Sequence, residues 1–283
     1  MNYLRALNYA LEMLKTLPLS HRVIKKSHEI LLSDLSAARG ARKRPGEYKN
    51  TQNWIGGRTI DVARFVPPPP SETQKCMDDL EFYLNREYSS SINSLLDLAL
   101  VHYQLETIHP FADGNGRVGR MLISIMAVHS GILDMPILYV SPEMERHKDQ
   151  YIDMMYNVSA KGAWEDWINF FCERITGSCR ETIRVIDRII QLHKEYREKA
   201  AASGRSSNPL TLIDSLFERP VISVADAAQK LGVTYPAAKG TIDKLIELNI
   251  IEELPGVYPK AFYSPSIVQA SRPDGYDSNL LEG

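Results

Sequence analysis

With 283 residues, 44% of them hydrophobic, the chain has material for one large or two modest globular domains. Its 33 basic and 35 acidic residues leave a net charge of -2, which excludes indiscriminate attraction to nucleic acid or membrane surfaces. Cys76, Cys172 and Cys179 have neither disulfide nor metal-ligand spacing, and an odd count fits a reducing compartment. No signal-peptide pattern opens the sequence. Its most apolar stretch, Leu122 to Val140, is broken by Ser124, His129, Asp134 and Pro136, so a soluble, cytoplasmic protein is expected.

Taken in chain order, apolar residues at helical spacing predict a helix over Leu4–Leu17. The basic cluster Arg39, Arg42, Lys43 and Arg44 runs into Pro45-Gly46 and reads as a solvated loop rather than a nucleic-acid patch. Further helices are expected over Glu72–Leu84, Leu95–Thr107, Arg117–Ser130, Met144–Val158 and Trp164–Tyr196. From Lys199 to Ser207 the composition shifts to small and polar residues, which predicts a linker at 201–208. Beyond it, Pro209 opens a helix over Leu210–Phe217, and Ser223 with Asp226 makes a box-like start to Val224–Leu231. Gly232 turns the chain into a helix over Tyr235–Leu248. Strands are expected at Ile250–Leu254 and Ala261–Ser264, joined through Pro255-Gly256.

One run concentrates the chemistry: His109-Pro-Phe-Ala-Asp-Gly-Asn-Gly-Arg-Val-Gly-Arg120. Pro110 stops the preceding helix, because its ring clashes with the turn before it and it has no N–H. Gly114-Asn115-Gly116 then sits where a loop meets a helix N-terminus, whose free N–H groups and positive dipole end attract an anion. Arg117 and Arg120 are one turn apart and present planar forks suited to phosphate. Asp113 offers a hard oxygen of the kind Mg²⁺ takes alongside substrate phosphates. His109 is a candidate general base. Phe111 reads as the apolar pin of the loop. Taken alone, Asp-Gly-Asn-Gly is an ordinary turn, and it lacks the ligand spacing of an EF-hand.

The run resembles the Fic family signature, His-Pro-Phe-x-(Asp/Glu)-Gly-Asn-Gly-Arg-x-x-Arg, at all of its specified positions. The likeness extends to Pro45-Gly-Glu-Tyr48, Gln52-Asn-Trp-Ile-Gly-Gly57, Phe65-Val-Pro-Pro-Pro-Pro70 and His102-Tyr-Gln-Leu-Glu-Thr-Ile108, as in multi-domain bacterial members, and covers about residues 1–200. It implies a mainly α fold: a Fic helical bundle with a short β-hairpin flap at Val62, Ala63, Arg64 and Phe65, along which a target peptide adds as a strand. It implies AMP transfer from ATP to a Ser, Thr or Tyr hydroxyl of a target protein, with self-modification, and Mg²⁺ as cofactor. His109 would deprotonate the hydroxyl and Asp113 would hold the metal. Asn115 with Gly114 and Gly116 would hold the α/β-phosphates, and Arg117 and Arg120 the β- and γ-phosphates. The nucleotide site so implied comprises the flap residues, Gly114 to Arg120 with Val118 and Gly119 included, and Tyr151. Gln150-Tyr151 stands where the family often has a Tyr-Tyr pair beside the base. Kinase relatives carry lysine at the position of Gly116, so nucleotidyl transfer is the expectation.

The segment 209–268 resembles a winged helix-turn-helix, leaving a flexible tail at 269–283. Acidic residues outnumber basic ones between Pro209 and Ile267, so a protein-binding or dimerising role, including a homodimer, is expected at least as much as DNA binding through Lys239 and Lys244. Family members are often silenced by a Ser/Thr-x-x-x-Glu-Gly/Asn helix whose glutamate pairs with the second motif arginine. That helix is expected ahead of Asn2–Leu11, and Ser278-Asn-Leu-Leu-Glu-Gly283 fits the loose pattern by chance. Arg120 is then free, and inhibition would come from a partner protein. The alternatives left open are an inactive Fic-like DNA-binding or scaffolding regulator, and transfer of a nucleotide other than AMP.

Overall fold

A computed structural model describes residues 2–33, 44–86 and 94–274. Arg39, Arg42, Lys43 and the Ser278–Gly283 pattern lie outside the described residues, whereas Arg44 is described and ion-pairs with Glu47. The chain divides into two compact units, Met1–Cys179 and Arg180–Gly283.

The first unit is helical: α1 (Asn2–Met13), α2 (His21–Leu32), α3 (Pro70–Leu84), α4 (Ser94–Ile108), α5 (Asn115–His129), α6 (Ser141–Arg146), α7 (Lys148–Lys161) and the first part of α8 (Trp164–Ala202). α4 is buried on most of its circumference, from Leu98 and Ala99 to Leu105 and Ile108, as suits a helix enclosed by its neighbours. α5 packs along it and α1 packs on α2 and α5. Trp167 of α8 is fully buried and donates from Nε1 to the Ala99 carbonyl at 3.0 Å, which ties α8 to α4. The sequence reading has no counterpart of α2.

The expected helix Met144–Val158 is two helices. They part at His147, whose N–H turns to the Glu145 carbonyl while its ring takes the Glu143 carbonyl at 3.1 Å. The expected flap is more compact than an extended strand. Ile60–Val62 forms a 3₁₀ turn, and the hairpin is closed by one antiparallel bridge, Ile55 with Phe65. Gly57 permits this closure: at φ +81 a Cβ there would stand 2.3 Å from the Val62 carbonyl oxygen.

The second unit holds the rest of α8, α9 (Asn208–Glu218), β1 (Val221–Ser223), α10 (Val224–Leu231), α11 (Tyr235–Glu247), β2 (Glu252–Glu253), β3 (Ala261–Tyr263) and α12 (Pro265–Ala270). The sheet is antiparallel in the order β1-β3-β2, with Phe262 opposite Ile222 on one side and Glu253 on the other. α9, α10, α11 and the two later strands stand where the sequence places them, and β1 and α12 are additions. Ser223 and Asp226 form a reciprocal capping box, and Gly232 ends α10 in the left-handed region.

Two boundaries differ from expectation. α8 continues to Ala202, because the alanines after Lys199 favour helix and only 203–207 is irregular. Tyr196 and Ala200, expected in the first domain, are buried with Leu212, Leu216, Ile242 and Phe262 in the second core. The division therefore falls inside α8. The start of the expected tail is held as well, since Arg188 donates to the Arg272 carbonyl at 2.8 Å and to Asp274 at 2.7 Å. Among the described residues, no helix is long and apolar enough to cross a membrane.

Candidate active site at the His109–Arg120 loop

α4 ends at Ile108, and His109 takes a left-handed conformation at φ +48, which L side chains rarely adopt. The reversal drives Phe111 into the core, where it is fully buried and stacks on His28 at 3.8 Å between ring centroids, 8° from parallel. Asn115 closes the turn. Its Oδ1 accepts from the Phe111 N–H and its Nδ2 donates to the Phe111 carbonyl, both at 2.8 Å.

Groups distant in sequence clamp this loop from outside. Asn53 Nδ2 donates to the carbonyls of His109 and Phe111, each at 3.0 Å. The Lys49 N–H donates to the Pro110 carbonyl at 2.8 Å, and its buried ammonium reaches the Ile108 carbonyl and Asn53 Oδ1. Burial lowers the Lys49 amine to about 8. His28 accepts at Nδ1 from the Gly46 N–H, so its proton sits on Nε2, which donates to the Asp113 carbonyl at 2.9 Å. Burial lowers the pKa of His28, in keeping with this neutral tautomer.

His109 is neutral too. Burial lowers its imidazole to about 4, against a raising contribution from the Glu106 carbonyl that its Nδ1 contacts at 3.2 Å. With the proton on Nδ1 directed at that carbonyl, Nε2 keeps a lone pair. The ring is 21% exposed, enough to meet a substrate.

α5 begins beside it. Gly114, at φ +80, is the N-cap and has no side-chain cap, and no acidic residue stands in the first turn. The unpaired first-turn N–H groups and the dipole therefore favour an anion. Arg117 lies 3.6 Å from Asp113, both half-exposed. Asp113 Oδ1 accepts from the Gly114 N–H at 2.6 Å. Arg120 donates from Nε to Ser141 Oγ at 3.1 Å, which aims its guanidinium along the same helix. A base with a free lone pair thus stands at the rim of a cationic anion cradle.

Residues 18–127 match the family model described as Fic/DOC. They form a Fic/DOC family domain. Over 86 residues the chain is 41% identical to a protein adenylyltransferase Fic of Drosophila willistoni, a stretch covering 30% of this chain and 16% of that protein. Over 103 residues it is 36% identical to the protein of the same name from Drosophila yakuba, covering 36% and 19%. The chain thus spans less than a fifth of the length of these curated relatives. In fold it resembles the crystal structure of a Fic family protein from Desulfovibrio desulfuricans G20, with a TM-score of 0.52 at 19% identity, covering 93% of this chain and 74% of that one.

The sequence-derived site residues, all but Tyr151 within the Fic domain, separate into three groups. Asp113 contacts Gly114 and Arg117, Gly116 lies beside the Arg120 guanidinium, and the Asp113 charge acts on His109. Asn115 is 2% exposed and both ends of its amide are engaged by Phe111, so only its backbone N–H faces an anion. Val118 is buried and serves the core. Gly119 is a packing residue: a Cβ there would lie 2.2 Å from Glu106 Oε1. Tyr151 is turned inward, its hydroxyl 3.0 Å from His102 Nε2 and its pKa raised by burial. Of the flap residues, Arg64 ion-pairs with Asp149 and Asp153 and so fastens the hairpin to α7. Val62 is 61% exposed and available to a ligand.

Sequence reasoning missed His28, Lys49 and Asn53, and it missed the second layer beneath the rim. Glu106 is 4% exposed with an unpartnered Oε1, and burial lifts its carboxyl to about 7 while the Arg120 charge pulls it down. His102 is 1% exposed, and burial holds it to about 3. The signal available was their polarity on a helix that is buried on most of its circumference.

Proposed function

We propose that this chain is a protein adenylyltransferase that moves AMP from ATP to a hydroxyl of a target protein. The observation that carries the reading is the neutral His109, with Nδ1 turned to the Glu106 carbonyl and Nε2 left to accept a proton. The target hydroxyl gives its proton to Nε2 as its oxygen attacks the α-phosphorus. The bond to the β-phosphate oxygen breaks and pyrophosphate leaves. The N-terminus of α5, with Arg117 and Arg120, neutralises charge on the departing phosphates.

The half-exposed Asp113 carboxylate suits Mg²⁺. Among the described residues no group of three or more His, Cys, Asp or Glu is placed to hold a metal ion, so an ion at Asp113 would depend on the bound phosphates and water for its other ligands. Held there by Asp113, it would offset the negative charge of the phosphates. Gly116 leaves the Arg120 guanidinium room, since a Cβ there would stand 3.0 Å from its Nη1. The exposed lip of the hairpin near Val62 is where a target segment would lie. Similarity to proteins named protein adenylyltransferase Fic over the matched stretch supports the same reading.

The test is to incubate the chain with labelled ATP, Mg²⁺ and cell lysate, then identify modified hydroxyls by mass spectrometry. Label should pass to protein from ATP in preference to the other nucleoside triphosphates. It should vanish in His109→Ala, and Asp113→Ala should require far more Mg²⁺. Equal labelling by wild type and His109→Ala would sink the proposal.

A further inference from the structure

Apolar side chains that serve neither core stand in a line along α8. Ile183, Ile186 and Ile190 are 58%, 37% and 62% exposed, and Cys179 and Thr176 continue the line as exposed residues. Single exposed apolar residues are ordinary. This set differs in its spacing: 176, 179, 183, 186 and 190 alternate steps of three and four. A period of 3.5 keeps a stripe facing another helix along its whole length. Leu192 and Tyr196, which enter the second core, lie off this line on the same helix.

The charges beside the stripe specify the occupant. Glu173, Arg180, Asp187 and Lys194 recur every seven residues on one flank, all exposed and alternating in sign. Read backwards, the series opposes itself with every sign reversed. A second copy laid antiparallel therefore sets Arg180 against Asp187 of the second copy and Glu173 against Lys194 of the second copy. The same register sets Ile183 against Ile186 of the second copy, and Ile190 against Cys179 of the second copy. On the other flank Thr182 and Ile189 are uncharged, so a parallel, in-register pairing gains no ion pair. We propose that α8 is the dimerisation element of this protein, pairing antiparallel with α8 of a second copy about a two-fold axis. The stripe is short, so the association is reversible and depends on concentration.

Sedimentation velocity of the full chain should show a monomer–dimer equilibrium that Ile186→Glu abolishes, with an unchanged circular dichroism spectrum because the position is exposed. Arg180→Glu and Asp187→Arg should each weaken the dimer by roughly ten- to thirtyfold, since each exchange turns two symmetry-related attractions into repulsions. An equimolar mixture of these two variants should regain wild-type affinity, because the antiparallel heterodimer restores both pairs. Mild oxidation of Ile190→Cys should join that cysteine to Cys179 of the second copy. A monomer at every concentration, a mixture that stays as weak as its components, or a Cys179–Cys179 crosslink overturns the proposal.

Discussion

Glu106→Gln should stabilise the first unit in a manner that grows with pH. Glu106 is 4% exposed, one carboxyl oxygen has no partner, and its pKa stands at about 7 against the ordinary 4.5. Between those values the native state holds a proton that the unfolded chain has already released. Native protein therefore binds more protons in that window, and stability falls as pH rises from 4.5 through 7. The loss is complete above the folded value. A displacement of that size corresponds to about 3 kcal/mol, with no discount for solvent because the group is enclosed. Glutamine has nearly the same shape and no titration, so any fault in its hydrogen bonding adds a constant. The difference between variant and wild type should then be smallest near pH 5 and shift by about 3 kcal/mol in favour of the variant by pH 8.

Urea denaturation followed by tryptophan fluorescence measures this selectively, since Trp54, Trp164 and Trp167 all belong to the first unit. A difference that is flat across pH, or one that favours the wild type increasingly at pH 8, refutes the account of a neutral buried acid.

His28→Ala should cost about 3–5 kcal/mol in the same assay, because it removes a stacked ring and leaves the Gly46 N–H and the Asp113 carbonyl without partners; a change below 1 kcal/mol, roughly one ordinary hydrogen bond, would contradict the clamp. Gly119→Ala should destabilise by about 1–3 kcal/mol, since its methyl would meet Glu106 Oε1 at 2.2 Å, and adding Glu106→Ala should recover part of the loss in a double-mutant cycle. His109→Ala should leave stability near that of the wild type while transfer falls about 10²–10⁴-fold. With the imidazole at about 4, the base is unprotonated throughout mildly acidic pH, so the wild-type rate should not drop with a midpoint near 6.5; such a drop would mean an ordinary, solvated histidine.

Much of the site was legible in one dimension. A helix, a proline stop, a glycine-rich turn and a second helix with arginines on its first two turns are local patterns, set by steric limits and by hydrogen bonds three or four residues long. That is why α4, α5, the loop between them and the capping box of α10 lie where periodicity and residue type put them. It also explains why Phe111 could be read as an anchor.

What only tertiary structure decided concerns contacts between residues far apart. His28, Lys49 and Asn53 reach the loop across more than fifty positions, and such bonds leave no period in the sequence. Helix rotation turned Val118 and Gly119 inward and gave Tyr151 to His102. The division within α8 followed from which core could enclose Tyr196 and Ala200. Burial, which needs the whole fold around a group, set the charge states of Glu106, His102 and His109. Local chemistry names the reacting groups, and enclosure determines the proton each one carries.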